Sequence, residues 1–416
     1  MSKHRKINEV SVYISRGISP KYDEVGYRVI NQKCIRGNVL SLVPIRYSSK
    51  EKTRLSPEKT VKKFDVLVNS TGVGTLGRVA QVKSELIDTT VDSHVTIVRP
   101  DLEIVDGYYF GYAMVYRESR IESLGIGATG QTELSRNDLG EIDIPIYSMP
   151  IQHRIGKILS LYDELIKNNS RRIDILEDIA KTIYREWFIE FRFPDHEGIP
   201  RVDSAMGPIP EGWQVIPIAD AINTIEAGNR PRGGINPDES DVPSIGATNI
   251  IGLGKYDYSK DRFVSQDYFD SMKKGIVKHE DVLLYKDGAQ IGRKSLFRDG
   301  FPHEICCINS HVFILRSNDL CSQSYLYFYL DTPDMTQAII NLNTNAAQPG
   351  INQPKVKSLP IIIPTREHIE MFENTIEPIM GLLFNLAKKN ELLKQTRDIL
   401  LPQLITGDLD VGEIVI

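Results

Sequence analysis

Side chains that can read nucleic-acid bases recur at predicted turns in both halves of this chain. Arginine presents two parallel donors that match guanine, and Asn or Gln can pair in the same bidentate manner with adenine. On this basis we predict DNA contacts at a set of turn positions: Arg78, Gln131, Asn249, Lys286, Arg293, Asn345 and Gln348. A stiff loop, Arg230-Pro231-Arg232, adds two arginines that suit phosphate groups. A single loop arginine is more often a solvated surface charge, so the prediction depends on the recurrence.

The sequence lacks the motifs of the common catalytic and metal sites. Residues 288–295 have some features of a phosphate-binding loop, but the spacing is wrong and an arginine intrudes. His94 and His311 occupy equivalent places in the two halves without a Ser or Cys partner motif, and their strand context favours hydrogen-bonded structural histidines. The four cysteines form no Cys-x-x-Cys pair. We therefore predict no catalytic residue, no metal and no cofactor.

The positive charge of the chain is concentrated near its N-terminus. The net charge is −5 over 416 residues, which argues against a uniformly basic nucleic-acid binder. Residues 1–65 nevertheless hold fifteen Lys and Arg against six Asp and Glu, whereas residues 195–241 hold three against nine. Because there is no long apolar run and no secretory leader, we expect a soluble, cytoplasmic protein with no membrane partner.

The chain is an internal duplication. Four blocks of the first half match blocks of the second half in the same order, at a constant offset of about 216 residues, which is the mark of a repeated unit. The matching blocks are 64–68 with 280–284, 74–78 with 289–293, 92–99 with 309–316, and 131–134 with 348–351. Each half begins with short strands separated by Gly, Pro and Asn turns and ends in a long helical segment. The predicted segments are 1–148, a helix within 149–193, a linker at 194–210, 211–363, and a helix with a tail at 364–416.

The two helical segments have the three-and-four spacing of a coiled-coil seam. In the first helix the seam positions include Ile155, Tyr162, Asn169, Ile173, Leu176, Ile183 and Trp187; in the second they include Phe372, Ile379, Leu386, Asn390 and Leu393. A plain amphipathic helix on a domain surface is the alternative, but two such helices favour pairing. The single asparagine of each seam either fixes the register of the pair or faces solvent at a frayed position. Apolar residues outside the seam, such as Leu159, Ile166, Leu382 and Leu392, widen the stripe beyond what two helices need.

Two blocks carry a resemblance to a known family. Residues 401–411, Leu-Pro-Gln-Leu-Ile-Thr-Gly-Asp-Leu-Asp-Val, close the second helix, and residues 211–218, Glu-Gly-Trp-Gln-Val-Ile-Pro-Ile, open the second half. In this order they resemble the specificity subunit of type I restriction-modification systems. The N-terminus departs from the pattern, because it has no Gly-Trp pair like Gly212-Trp213.

The resemblance implies an α+β chain in which two α/β target recognition domains are joined by two long helices that form an antiparallel coiled coil. It implies that 155–188 and 369–404 are the paired helices. It also implies that each domain reads one half of a bipartite site in double-stranded DNA, that two methyltransferase subunits dock on the helices, and that restriction subunits join this core. The alternative is a coiled-coil interaction scaffold, or a mimic of such a subunit that binds no DNA, which the acidic segment 195–241 favours.

Overall fold

A computed structural model describes residues 3–125, 133–231, 234, 241–343 and 349–412. It divides into two compact units, the first formed by Met1–Ile166 with Leu393–Ile416 and the second by Lys167–Leu392. The helices of the described residues are α1 Gly107–Tyr116, α2 Glu118–Ser123, α3 Arg136–Gly140, α4 Met149–Phe188, α5 Ile218–Ala221, α6 Gln266–Ser271, α7 Gln323–Asp331, α8 Pro333–Asn341, α9 Gln353–Lys357 and α10 Arg366–Thr406.

The strands of the first unit are β1 Lys3–Lys6, β2 Ser11–Arg16, β3 Tyr22–Asp23, β4 Tyr27–Ile30, β5 Ile35–Arg36, β6 Val39–Leu40, β7 Arg46–Ser48, β8 Val66–Asn69, β9 Val79–Gln81, β10 Thr89–Val91, β11 Val95–Pro100 and β12 Asp143–Ile146. The strands of the second unit are β13 Arg201–Val202, β14 Ile209–Pro210, β15 Gln214–Pro217, β16 Ile222–Ala227, β17 Val242–Ile245, β18 Phe263–Val264, β19 Asp281–Tyr285, β20 Lys294–Phe297, β21 Cys307–Ile308, β22 Val312–Ser317 and β23 Pro360–Ile363.

A four-stranded antiparallel sheet, in the order β2-β11-β8-β9, is the centre of the first unit. Because successive strand residues point to opposite faces, Val66 and Val68 enter one apolar cluster and Leu67 enters another. The first cluster contains Tyr109 and Phe110 of α1, and the second contains Ile30 of the neighbouring sheet β10-β4-β7-β3. Both faces are therefore covered, which explains why these strands are apolar throughout.

The second unit repeats the main sheet of this plan, although its smaller sheet has three strands where that of the first unit has four. Its sheet has the order β16-β22-β19-β20, and the parallel pair β17–β21 corresponds to the parallel pair β4–β10. The antiparallel pairs β1–β12 and β15–β23 also correspond. The predicted duplication and the α+β class are therefore confirmed.

Equivalent side chains hold the two sheets. In the first unit the Arg99 guanidinium donates from Nε and Nη2 to the buried Asp65 carboxylate, both at 2.8 Å. In the second unit Arg316 donates in the same way to Asp281, both at 2.6 Å. Such forked pairing compensates for the cost of burying a charge, and its repetition shows that these residues serve the fold rather than a ligand.

Helices α4 and α10 run antiparallel. Within the second unit Asn390 of α10 donates to the Ser170 hydroxyl at 3.1 Å, and the ring of Phe372 lies 5.0 Å from that of Phe188. From the first contact to the second, α4 advances by eighteen residues, from Ser170 to Phe188, while α10 goes back by eighteen, from Asn390 to Phe372. The two helices therefore run in opposite directions. Asn169 and Asn390 are both only 6% exposed, so they lie in the interior and do not face solvent.

The seam positions are covered to different extents. Fully buried positions are Ile155, Ile173, Phe372 and Leu386, and partly buried positions are Tyr162, Leu176, Ile183, Trp187, Ile379 and Leu393. The antiparallel coiled coil implied by the resemblance is the observed arrangement, with helix bounds a few residues wider than expected. Leu159, which we expected to widen an exposed stripe, is instead buried in the core of the first unit, because it packs with Tyr109 and Ile144 in the same cluster.

Candidate nucleic-acid interface

One end of each four-stranded sheet gathers loops that carry polar side chains. In the first unit β8 leads into the loop 70–78, β11 begins directly after His94, and β2 ends at Arg16 before Gly17. In the second unit the loop 286–293, His311 and Gly228 have the equivalent places. We call these regions the loop ends of the two sheets. They are built by the shared fold, so the side chains on them are free to differ between the units.

The loop-end hairpins are shaped by glycines with left-handed backbone conformation. Gly77 has φ +86° and Gly292 has φ +90°, values that residues with a Cβ rarely adopt. The arginine that follows each glycine is one of our predicted DNA contacts. Arg78 is partly exposed, and its guanidinium donates to the Gly74 carbonyl at 2.7 Å, while Arg293 is exposed to solvent. Each hairpin thus needs a glycine for its backbone conformation and has an accessible arginine directly after that glycine.

The second loop end carries a linked set of charged groups. The Arg230 guanidinium contacts Nε2 of His311, whose Nδ1 lies 3.4 Å from the Asp287 carboxylate. A guanidinium can only donate, so a hydrogen bond from Arg230 requires Nε2 of His311 to accept. Lys286 pairs with the same carboxylate and lies 5.3 Å over the Phe313 ring. Arg230 and Lys286 therefore lie at one loop end, Lys286 paired with Asp287 and Arg230 in contact with His311.

The histidines are hydrogen-bonded, as expected from their strand context, but they are not interior residues. His94 is exposed, and its Nδ1 lies 2.9 Å from the Thr71 hydroxyl. His311 is partly exposed at the equivalent place. The sequence pattern could not show that both side chains open onto the loop ends, because the residue before a strand can point either into the sheet or out of it.

The prediction that Asn249 contacts DNA is wrong. It is only 1% exposed, its carbonyl oxygen accepts from the Gly246 amide at 2.9 Å, and its amide donates to the Asp261 carboxylate at 3.0 Å and to the Asp257 carbonyl at 3.2 Å. A side chain with these partners has no group left for a base. Asn249 therefore organises the short helical turn 247–249 and the loop that follows it, and does not contact DNA.

Four predicted contacts, Gln131, Arg232, Asn345 and Gln348, lie outside the described residues. The chain just beyond two of them does reach the loop ends. The Leu134 amide donates to the Ser70 carbonyl at 2.8 Å, and the Ile351 amide donates to the Lys286 carbonyl at 3.0 Å. Segments 133–135 and 350–352 are thus further equivalent parts of the two loop ends.

The C-terminal signature belongs to the core of the first unit. Leu404, Ile405 and Val411 are buried in the same cluster as the α1 aromatic residues. The Tyr147 hydroxyl donates to the Ile405 carbonyl at 3.0 Å, and Arg154 of α4 donates to the Val411 carbonyl at 3.2 Å. The sequence marked this segment only as a family signature, whereas the structure shows that the end of the chain completes the first domain.

The described residues contain no group of three metal-ligating side chains, and none of their helices is long and apolar enough to cross a membrane. All four cysteines are buried, and burial raises the pKa of the Cys321 thiol to about 12, so its reactive thiolate is disfavoured.

The arrangement defines a class of protein: a duplicated α+β chain with a polar loop end on each sheet and two long antiparallel helices. The family model for the type I restriction modification DNA specificity domain matches residues 3–178 and again 210–400, so the chain belongs to this family. Its first match covers the first half and its second match covers the second half, in agreement with the duplication.

Relatives and solved structures agree with this family. The chain is 25% identical over 363 residues to the type I restriction enzyme MjaIX specificity subunit of Methanocaldococcus jannaschii, covering 86% of this chain and 82% of that protein. It is 20% identical to the HindI specificity subunit of Haemophilus influenzae, covering 95% and 98%. The crystal structure of the type I restriction-modification S subunit from M. genitalium has the same fold, with a TM-score of 0.57, 16% identity and coverage of 97% and 96%. The chain is thus a type I specificity subunit.

Proposed function

We propose that this chain gives a type I restriction-modification complex its DNA sequence specificity by reading a bipartite site, with one half-site for each loop end. The observation that carries the proposal is the duplication of the loop end with unlike side chains. The main four-stranded sheet is repeated, yet the second loop end has Lys286 and Asp287 where the first has Ser70 and Thr71. Two readers of one design with different side chains suit two unlike half-sites.

The chain itself performs no chemistry in this proposal. Methylation and cleavage belong to the modification and restriction subunits that assemble with it, in the cytoplasm, and the chain needs no cofactor or metal of its own. Among the described residues, we expect four side chains to contact DNA: Arg78, Arg230, Lys286 and Arg293. Four further contacts are predicted from the sequence alone: Gln131, Arg232, Asn345 and Gln348.

Methyltransferase subunits, in two copies, would dock on the helices. Support comes from apolar side chains that the helix pair leaves in solvent: Leu165 and Ile399 in the first unit, and Ile175, Ile179, Leu382 and Leu392 in the second. Ile399 is 62% exposed and Leu392 is 63% exposed, although both belong to one long helix. Exposed apolar side chains grouped on one element are typical of a protein interface.

Docking is tested by placing a charge on this surface. We expect Leu392→Lys to weaken binding of methyltransferase subunits at least tenfold, measured by co-purification and by titration of the separately purified subunits. Leu102→Lys is the control, because Leu102 is also an exposed leucine, at 54%, but lies in a turn outside the helices. Equal binding by both variants and the parent would remove the helix surface from the proposal.

The reading function is tested by exchanging one domain. Replacing residues 1–148 with the matching segment of a relative of different specificity should change one half of the methylated sequence and leave the other half as it was, which methylome sequencing detects directly. A change in both halves would refute independent reading. If the complex of the parent chain with its methyltransferase subunits bound no duplex at all, the alternative of a non-reading scaffold or mimic would replace the proposal.

A further inference from the structure

The first loop end contains a basic pocket that the sequence pattern did not single out. The pocket has a volume of about 420 Å³ and opens to solvent between the end of β2 and the start of α3. Its lining includes three cations, Arg16, Lys59 and Arg136, and one carboxylate, Glu133. The excess of two positive charges over a concave surface is the electrostatic pattern of an anion site.

Two of the cations are held in place by the backbone. Arg16 donates from Nη2 to the Leu134 carbonyl at 2.9 Å and pairs through Nη1 with Glu133. The Arg16 Nε is buried and has no hydrogen-bond partner among the described residues. Lys59 donates from Nζ to the Gly17 carbonyl at 2.9 Å. An ammonium has three donors, so Lys59 keeps two for a ligand.

The third cation, Arg136, lies at the rim. It is the first residue of α3 and is exposed to solvent, and it makes no hydrogen bond or ion pair with the described residues. A side chain of this length can fold over a group that occupies the pocket without any change of the backbone. The three cations thus combine two fixed donors inside the pocket with one adaptable donor outside it.

The second unit shows that the fold does not require these charges. Arg16 lies opposite Thr96 in the first sheet, and Ala227 lies opposite Phe313 at the same place in the second sheet. Ala227 is therefore the counterpart of Arg16. The Val61 amide donates to the Thr89 carbonyl, and the Val277 amide donates to the Cys306 carbonyl in the same way. Lys59 lies two residues before Val61 and Gly275 lies two residues before Val277, so Gly275 is the counterpart of Lys59. Arg136 and Gln353 both follow the capping residue of a short helix. Alanine, glycine and glutamine build the same loop end, so the cations of the first unit serve something other than folding.

We propose that this pocket binds a phosphate group of the DNA backbone, and that it belongs to the first recognition domain alone. The inference rests on the proposed function, because it assigns a part of the same DNA interface. An arginine fork, a lysine point charge and a flexible arginine suit the oxygens of a phosphodiester, and none of them reads a base here. The pocket therefore positions the first domain on the duplex, and the base contacts lie elsewhere on the loop end.

The test measures duplex binding by the assembled complex of this chain with its methyltransferase subunits over a range of salt concentrations. The variants are Arg136→Gln, which installs the residue of the second unit, Lys59→Gln, and the double variant. Arg120→Gln is the matched control, since Arg120 is an exposed arginine of the same unit that is not part of the pocket. One lost phosphate contact lowers the slope of log K against log salt by about 0.9.

We expect the double variant to bind about tenfold more weakly at low salt, with a slope reduced by about one, and to keep the same methylated sequence, because phosphate contacts carry no base information. Glu133→Gln should act in the opposite direction and strengthen binding, since it removes the only carboxylate among the lining residues while Arg16 keeps its bond to Leu134. Thermal unfolding of each variant, compared with the parent, shows that the fold is unchanged.

Four results would overturn the inference. A double variant that matches Arg120→Gln would show that the pocket does not contact DNA, and a changed methylated sequence would show that it reads bases. Weaker duplex binding by Glu133→Gln would show that the negative charge of Glu133 does not oppose DNA binding, against the proposal. Binding of inorganic phosphate to the parent complex that is lost in the double variant, while the duplex affinity and its salt slope stay the same, would assign the pocket to a free anion. Failure of the parent complex to bind DNA would instead refute the proposed function.

Discussion

Removing Arg397 should loosen the end of α10 from the rest of the first unit, residues 1–166. Asp163 of α4 accepts from Arg397 Nη1 at 2.6 Å and from the Tyr112 hydroxyl at 2.6 Å, and it also pairs with Lys83. Asp163 and Arg397 are each about four-fifths buried, with 20% of the side chain exposed. Burial alone would raise the pKa of the Asp163 carboxyl, but Lys83, Tyr112 and Arg397 outweigh burial and hold its pKa below the ordinary value.

The size of the effect follows from these contacts. Breaking a fully buried ion pair costs about 3–5 kcal/mol. Since Asp163 is partly hydrated and keeps Lys83 and Tyr112, we expect Arg397→Gln to cost about 2 kcal/mol, at the low end of charged hydrogen bonds. Asp163→Asn leaves Lys83 without its carboxylate and leaves Arg397 only the exposed carboxylate of Asp398, so it should cost about 3 kcal/mol. The double variant should cost no more than Asp163→Asn alone, a coupling of about 2 kcal/mol.

The loss of stability is measured by thermal unfolding of the full chain, from the Tm of the transition in which the first unit unfolds. For a unit of this size about 2 kcal/mol corresponds to a fall in Tm of roughly 4–8 °C. The pKa of Asp163 is lowered, so its contribution is present above the ordinary Asp pKa, about 3.9, and is lost only as the pH falls below that value. The penalty for Arg397→Gln should therefore be the same at pH 8 and pH 5.

The control is Arg366→Gln, another arginine of α10 whose ion pair with Glu370 lies in solvent. It should leave Tm unchanged, because exposed pairs on a helix are screened by water. Additive effects of the two substitutions at Asp163 and Arg397 would refute the coupling. A penalty that disappears already at pH 5 would show that the carboxylate is not held in its ionised form.

The other predictions concern the cores of the two units. Leu404→Ala should cost about 2–5 kcal/mol in the unfolding of the first unit, because Leu404 is buried in its core, and an unchanged Tm would separate the C-terminal segment from that domain. Tyr109→Phe should cost about 1 kcal/mol, since its hydroxyl donates to the Pro145 carbonyl at 2.7 Å, and denaturant titration measures the loss. Burial lowers the pKa of His368, whose ring lies 4.2 Å from that of Phe193, so the second unit should lose stability as the pH falls below about 6.5. His368→Gln should flatten this pH dependence, and an unaltered profile would assign it to other groups.

The sequence was most informative where local patterns and the fold agree. The constant offset of the repeated blocks predicted two copies of one sheet, and the seam spacing predicted two long helices. Strands such as β8 and β19 could be found because residues covered on both faces are apolar at every position. Asn169 and Asn390 could be placed in the seam because the period of the helix locates every residue on it.

The candidate site was less predictable, since loops have no period. The type of side chain suggested Asn249 as a base reader, but its type equally suits an internal turn, and only the contacts with Gly246 and Asp261 decide between the two. The opposite error left out the pocket cations. Arg16, at the end of a strand, and Arg136, at the start of a short helix, are 120 residues apart in the chain and meet only in the folded structure. The basic excess of residues 1–65 pointed toward Arg16 and Lys59, whereas no sequence signal pointed toward Arg136.

The boundary between the two readers is therefore not a single point in the chain. Helix α4 follows the first domain in sequence and contributes Ile155 to its core, yet the C-terminal part of α4 contributes Tyr184 and Phe188 to the core of the second unit. Helix α10 follows the second domain, yet its end places Leu404 in the core of the first unit. Each domain is thus completed by chain from the other half of the sequence. This dependence gives the helices a role in stability that is separate from any role in binding partners, because neither core can close on residues of one half alone.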